Sequence, residues 1–223
     1  KTKVRLMHLD YEADVFWREG EEGVWSKYEE GIWVNKNVEL YAYAVAEGVS
    51  SKIVKHEIVK IDHDWTVEYA APYSHQYAAA GPNTLVDGLY GGDEYRTGDW
   101  QGFYATPMQA TIDLGEPCDI EGMSLGCVQD IRPWIWLPES VDFLVSQDGV
   151  NFSLFNHVEH DVAEDDYEKQ VFRFTTNIKS EGIVSARYVR VITNPRGIIP
   201  EWHLGAGFDR WTFVDEWNIS FVK

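Results

Sequence analysis

Three tryptophans of this 223-residue chain sit among Gly, Pro and charged residues rather than in alternating runs. Trp100 lies between Gly98 and Gly102, Trp134 follows Arg132-Pro133, and Trp202-His203 lies between Pro200 and Gly205. An indole face packs against the apolar C–H face of a pyranose, while directional donors and acceptors beside it bond the hydroxyls. Arg96, Asp99 and His203 are the candidates for that polar role. The chemistry such a set could do is recognition of an uncharged sugar at a shallow site. The core competes for the same residue type: Trp17, Trp25, Trp33, Trp136, Trp211 and Trp217 are expected to be internal.

Motifs for covalent chemistry are present but lack their context. Gly122-Met-Ser124-Leu-Gly126 fits Gly-x-Ser-x-Gly, yet a nucleophile elbow needs a strand, a sharp turn and a helix. Here strand-like sequence continues through Ser124 into Cys127-Val128. His157 and His160 would point to opposite faces of a strand, and no Cys or third His stands at zinc-ligand spacing. Carboxylate pairs carry no information in so acidic a chain, which holds 37 Asp and Glu against 19 Lys and Arg, a net charge of −18. That charge repels phosphate backbones and anionic headgroups, so nucleic acid and acidic membranes are not expected partners. No apolar run approaches the roughly 18–20 residues of a membrane span, so no membrane insertion is expected. The opening KTKVRLMHLD does not begin with Met, has no signal-peptide core and reads as a piece of a longer chain.

The elements that must hold these residues are strands. Short alternating runs punctuated by Gly, Pro, Asn and Asp dominate, and no segment sustains a helical period. The candidates are Val4–His8, Val38–Ala46, Ile53–Lys60, Ala110–Leu114, Ile120–Val128, Ser140–Ser146, Lys169–Thr175, Ala186–Thr193 and Trp211–Val222. Val141, Phe143 and Val145 alternate with Asp142, Leu144 and Ser146, the pattern of a sandwich strand with one buried face. Cys118 and Cys127 would lie about 30 Å apart along an extended segment at ~3.3 Å per residue, beyond disulfide reach, so both are expected free. A composition change near residues 61–72 marks a boundary; residues 1–68 carry net −5 and 69–223 net −13. The acidic run Glu159–Glu168 is expected to be a solvated loop.

Several phrases in the second part, in this order and spacing, resemble the discoidin fold. They are SVDFLVSQDGVNF (140–152), ARYVRV (186–191) and FVDEWNISFV (213–222). That fold is the galactose-binding-like, eight-stranded jelly-roll β-sandwich of coagulation factor 5/8 type C domains and family 32 carbohydrate-binding modules. LVDGLYGGDEYRTGDWQGF (85–103), DIRPWIWLP (130–138) and IPEWHLGAGFDRWTFVDE (199–216) resemble a subgroup attached to Bacteroidetes glycoside hydrolases. ELYAYAVAEGVSSKIVKHEIVKI (39–61) resembles the small Fn3-like β-sandwich that precedes such modules at the C-terminal end of chitobiase or β-hexosaminidase-type enzymes. The resemblance implies an all-β chain: a small β-sandwich at 1–68, then a discoidin-like jelly roll at 69–223.

It further implies one structural calcium ion. Thr84-Leu-Val-Asp87-Gly-Leu89 matches the family's ion loop and Asp215-Glu216 the closing strand. Asp87 and Glu216 would be side-chain ligands, with carbonyls of Thr84, Leu89 and Asp215 completing a hard-oxygen cage suited to Ca²⁺. The family's threonine beyond the Asp has no counterpart here, leaving Asp93 or a water to substitute. By the same resemblance the chain is a non-catalytic module that targets an upstream glycoside hydrolase, of β-N-acetylhexosaminidase type, to a neutral or hexosamine-containing glycan. The setting would be periplasmic, cell-surface or secreted. The alternatives are a purely structural spacer on the parent enzyme, or a chain known only by the parent's hydrolase activity. Burial of Trp100, Trp134 and Trp202 together would favour the spacer.

Overall fold

A computed structural model describes residues 2–8, 10–177 and 182–222 of the chain. Among the described residues it is all-β apart from two 3₁₀ turns, and the chain divides into two units. The first comprises Lys1–Asp62 with Gly88–Tyr90, the second His63–Asp87 with Gly91–Lys223. The division thus falls earlier than residue 68, because Val67–Tyr69 is a strand of the second unit, pairing with Ala110–Ile112. Among the described residues no helix is long and apolar enough to cross a membrane.

In the first unit, strands β1 (Thr2–Val4) and β4 (Ile32–Val34) pair with each other. A five-stranded sheet is built on β5 (Val38–Ala46). On one side of β5 lies β2 (Asp14–Glu19), itself paired with β3 (Ser26–Lys27); β6 (Val49–Ser50) and β7 (Val54–Ile58) also pair with β5. Alternation along β5 buries Val38, Leu40, Ala42 and Ala44 and leaves Glu39, Tyr41 and Tyr43 on the other face. The core is small: Val34, Val38, Leu40 and Ile58, with Val4, Trp17, Ile32 and Leu89 packed against them. Of the three tryptophans expected inside this part, only Trp17 reaches that core. Trp33 is 61% exposed, and Trp25 packs on the outer face against Tyr43.

The second unit has eight strands among the described residues: β8 (Val67–Tyr69), β9 (Gln101–Tyr104), β10 (Gln109–Gln129), β11 (Ser140–Ser146), β12 (Ser153–Glu159), β13 (Gln170–Thr175), β14 (Val184–Asn194) and β15 (Trp211–Phe221). Pairings between these strands are antiparallel. Two of the expected strands, Ala110–Leu114 and Ile120–Val128, are one 21-residue strand, β10. Its first half lies between β14 and β8, in the order β12-β11-β14-β10-β8. Its second half lies between β15 and β13, in the order β9-β15-β10-β13. A register shift between Asp113 and Cys118, with Gly115 at φ +88°, lets the strand pass from one sheet to the other. Leu85, Ile112, Ile120, Leu125, Phe143, Phe174, Val189 and Trp217 fill the space between the sheets. Cys118 and Cys127 are free, and burial raises the pKa of both thiols, most for Cys127.

Asp215 and Glu216 lie where β15 shifts register against β10. The Asp215 side chain is fully buried, accepts from the Gly91 N–H at 2.9 Å and pairs with Arg173 at 3.2 Å. Gly126 lies beneath: a Cβ there would stand 2.0 Å from Asp215 Oδ1 and 2.7 Å from Arg173 Nη2. The glycine of the apparent Gly-x-Ser-x-Gly motif therefore makes room for an ion pair. Ser124 is mid-strand, opposite Thr175 and Asn218, with no turn or helix after it.

Candidate functional site

The loops before β9 fold onto the start of β15. Residues 75–77 form a 3₁₀ turn capped by Ser74, whose hydroxyl accepts from the Gln76 N–H at 3.2 Å. Tyr77, leaving that turn, stands edge-on to Phe213 (centroids 4.9 Å), Trp211 (5.3 Å) and Tyr95 (5.8 Å). Burial raises the Tyr77 phenol pKa, with Tyr95 beside it adding to the shift. Arg96 Nε donates to the Tyr95 hydroxyl at 3.1 Å and its guanidinium lies 4.8 Å from the Tyr95 ring centre. Between these groups is an open groove of about 540 Å³, lined by His75, Gln76, Tyr77, Tyr95 and Arg96 with Ala78, Ala79, Gly98 and Trp100. Ala79 is held at φ +46°, an uncommon conformation for a residue with a Cβ.

Charge behind the groove is organised rather than diffuse. Lys169 joins Glu94 (3.1 Å) to the buried Asp130 (3.2 Å), and Glu94 also faces Arg96 at 3.6 Å. Arg96 is thereby left on the groove side with its guanidinium partly satisfied and mostly exposed.

Trp100 does not offer the expected free face. It is 1% exposed, its indole N–H donates to the Gly92 carbonyl at 3.0 Å, and it lies against Gly91, where a Cβ would come within 2.2 Å of the ring. Trp100 is the groove's floor and not a platform, because the Gly91-Gly92 pair creates a slot that an indole fills. Asp99 is half-buried beside it and accepts from the Thr97 hydroxyl at 2.7 Å.

Trp134, Trp202 and His203 form a second cluster, tied to the first through Trp211. The Trp211 N–H donates to the Trp134 carbonyl at 2.8 Å, while the Trp211 ring packs on Tyr77. Trp134 adopts φ +73°, a strained state for a bulky residue, and so stacks on Phe208 (5.3 Å, 18°). His203 is buried. Its Nδ1 accepts from the Gly205 N–H at 3.0 Å, and its ring lies edge-on to Trp136 and stacked with Tyr167, so it supports the loop rather than reaching outward. Trp202 is 47% exposed and stands beside Tyr167, whose ring faces the Arg132 guanidinium.

The acidic run is pinned to this end instead of being merely solvated. Carbonyls of Glu164, Asp166 and Tyr167 accept from Trp136 Nε1, Gln129 Nε2 and Arg132 Nη1 at 2.8–3.1 Å. His157 and His160 face different partners, Asp142 for the first, Pro138 and Arg196 for the second, so they do not converge on a metal.

The expected calcium ligands are placed as follows. Thr84 is in the 3₁₀ turn Gly81–Val86, its hydroxyl donating to the Gly81 carbonyl at 3.0 Å, and Asp87 caps that turn. Leu89 belongs to the first unit, where it bridges to Ile58. Glu216 is buried, and its carbonyl accepts from Arg173 Nη1 at 3.1 Å. The expected ligands, two carboxylates and main-chain carbonyls, would all offer oxygen, the donor type a hard cation takes. Among the described residues no three His, Cys, Asp or Glu side chains converge as a metal cluster, so any such ion would depend on carbonyls.

His75, Gln76, Tyr77 and Tyr95 were not singled out from sequence. Their signal is the polar-aromatic run Ser-His-Gln-Tyr in a stretch without alternation.

No protein-family model matches the chain, and no curated protein matches it. Among solved structures, it is similar to the module CpGH89CBM32-6 of Clostridium perfringens, at 16% identity and TM-score 0.41, over 71% of this chain and 94% of that one. It is also similar to the C-terminal domain of a chitobiase from Bacteroides fragilis, at 16% identity and TM-score 0.36, over 70% and 93%. A fucolectin from striped bass serum aligns at 16% identity and TM-score 0.44, over 72% and 50%. These are distant likenesses.

Proposed function

We propose that the second unit is a non-catalytic glycan-binding module and that its ligand, a neutral or hexosamine-containing sugar, sits in the groove between Tyr77 and Arg96. The observation that carries this is the grouping of two tyrosines with His75, Gln76 and Arg96 around one open groove. The half-buried Tyr77 ring offers surface to pyranose C–H groups, with the buried Tyr95 beneath Arg96 as its support, and the polar side chains bond hydroxyls with directional donors and acceptors. An open site buries few ligand atoms, so affinity is roughly micromolar to millimolar. In a longer protein such a module would raise the substrate concentration around a tethered glycoside hydrolase of β-N-acetylhexosaminidase type, outside the cytoplasm.

The test is titration of galactose- and N-acetylhexosamine-containing oligosaccharides, read by calorimetry or Trp fluorescence. Tyr77→Ala and Arg96→Ala should each weaken binding about tenfold, with Trp202→Ala milder. The purified chain should not hydrolyse aryl-hexosaminides. Absence of binding across a broad glycan panel would favour the structural-spacer reading instead.

The same reading includes one Ca²⁺ held by Asp87 and Glu216 with carbonyls of Thr84 and Asp215. An ion bound only by the folded state stabilises it by about 2.7 kcal/mol at a hundredfold excess over Kd. Chelator should therefore lower the Tm of the wild type and leave that of Glu216→Ala nearly unmoved. No chelator effect on the wild type would remove the ion from the proposal.

A further inference from the structure

The outer face of the first unit's sheet carries a compact set of rings and one guanidinium that the groove does not involve. Cross-strand register places Phe16 opposite Tyr43 and Arg18 opposite Tyr41, on the same face. Phe16 and Tyr43 stack at 5.2 Å and 15°, and Trp25 meets Tyr43 edge-on at 4.6 Å. Arg18 lies between Trp25 and Tyr41, its guanidinium carbon 4.6 and 5.2 Å from the two ring centres.

Three cations occupy this face, and two are neutralised. Lys27 pairs with Asp14 at 2.7 Å, and Lys55 pairs with Glu39. No carboxylate among the described residues pairs with Arg18, and its Nε is buried with no hydrogen-bond partner. The rings beside the guanidinium reduce water's screening of its charge. With Nε buried, the two terminal Nη groups are the donors left unused, and they still present a two-point edge.

We propose that this face binds an acidic sugar, a uronate-bearing glycan. The carboxylate pairs with Arg18, and the pyranose C–H face lies on the Phe16–Tyr43 shelf. A carboxylate matches the guanidinium fork in a two-point, charge-assisted pair. A neutral sugar would leave the Arg18 charge without a counter-ion. A densely charged polyanion would meet the chain's overall negative field, whereas one carboxylate per contact meets little of it. The site is separate from the Tyr77–Arg96 groove and stands or falls without it.

The experiment titrates the whole chain with an oligogalacturonate and with the same oligosaccharide after its carboxyls are reduced to alcohols. The acidic form should bind at least tenfold more tightly. Arg18→Gln should weaken oligogalacturonate binding about tenfold and Tyr43→Ala several-fold, while Arg96→Ala leaves it unchanged. Arg18→Lys keeps the charge but loses the fork and should fall in between; it also serves if Arg18→Gln does not fold. The acidic-versus-reduced comparison needs no variant. Equal binding of the two forms overturns the proposal, as does a loss in Arg96→Ala but not in Arg18→Gln. Oligoglutamate binding as well as oligogalacturonate would make this a site for acidic peptide and equally overturn it. Equal binding of the two forms, or binding of oligoglutamate, leaves neutral-glycan binding in the groove untouched.

Discussion

Trp136 and Trp217 of the second unit are each about 1% exposed, whereas Trp17 and Trp25 of the first are half-buried and Trp33 lies open to solvent. The same residue type meets two fates because the two units enclose different volumes. The second has two sheets facing across a layer of Leu, Ile, Val and Phe, with room to surround an indole. The first is roughly 65 residues, and a chain of that size buries a smaller share of its surface. Its aromatic rings then find stability side by side on a sheet face, where stacked and edge-on pairs contribute about 0.5–1.5 kcal/mol and cations beside them about as much. Aromatic content, read as a sign of core, is therefore in part a sign of surface in the first unit.

This contrast can be broken at several points. The largest effect belongs to the second unit: Arg173→Met should cost about 3–5 kcal/mol of stability in urea or thermal unfolding, because it leaves the Asp215 carboxylate buried and unpaired. Burial already pushes the Asp215 pKa upward, and the variant should recover part of the loss at low pH, where that carboxyl is protonated. A loss below about 1 kcal/mol would show that the ion pair is not what fills the space over Gly126.

In the first unit, Trp17→Ala should cost about 2 kcal/mol, less than the ~3–5 of a fully buried tryptophan, since Trp17 only edges its core. Trp33→Ala should stay within about 0.5 kcal/mol. Equal costs for the two would erase the distinction between core and displayed rings.

The smallest effect concerns two histidines at one end of β12. The bond to Asp142 raises the His157 pKa, whereas burial, with Arg196 nearby, lowers that of His160. The His157 pairing stabilises the fold fully below the ordinary imidazole value of about 6.5 and is lost as pH rises through its higher folded value. His160 has the opposite sign: its stabilisation holds above about 6.5 and is lost as pH falls through its lower folded value. NMR titration should separate the two curves in that order, and Asp142→Asn should move only that of His157. Coincident curves would deny the difference in environment.

The all-β class was legible because alternation reports burial directly: Val141, Phe143 and Val145 are internal, as their spacing implies. The strand Asp14–Glu19 escaped notice because Phe16 and Arg18 on one face and Trp17 on the other blur a period of two. The joining of Ala110–Leu114 with Ile120–Val128 was hidden by Gly115 and Pro117, which look like a turn but here bend a strand. Of the expected sugar contacts, Arg96 and Trp202 are accessible, while Trp100 became structural once Gly91 supplied a slot for its ring and His203 once its ring packed on Trp136 and Tyr167. The groove itself joins residues 75–77 to 95–96, a proximity that only the packing of Tyr77 and Tyr95 on Phe213 creates.

One consequence of β10 concerns how the second unit comes apart. A strand shared end to end by both sheets acts as a common spine, so neither sheet can peel away without disturbing a ladder of the other. Loss of either sheet is thus coupled to loss of the whole unit, and a pull applied along β10 would load the hydrogen bonds to β14 and β15 in shear rather than one at a time. The loops that line the groove are therefore mounted on the part of the molecule slowest to open.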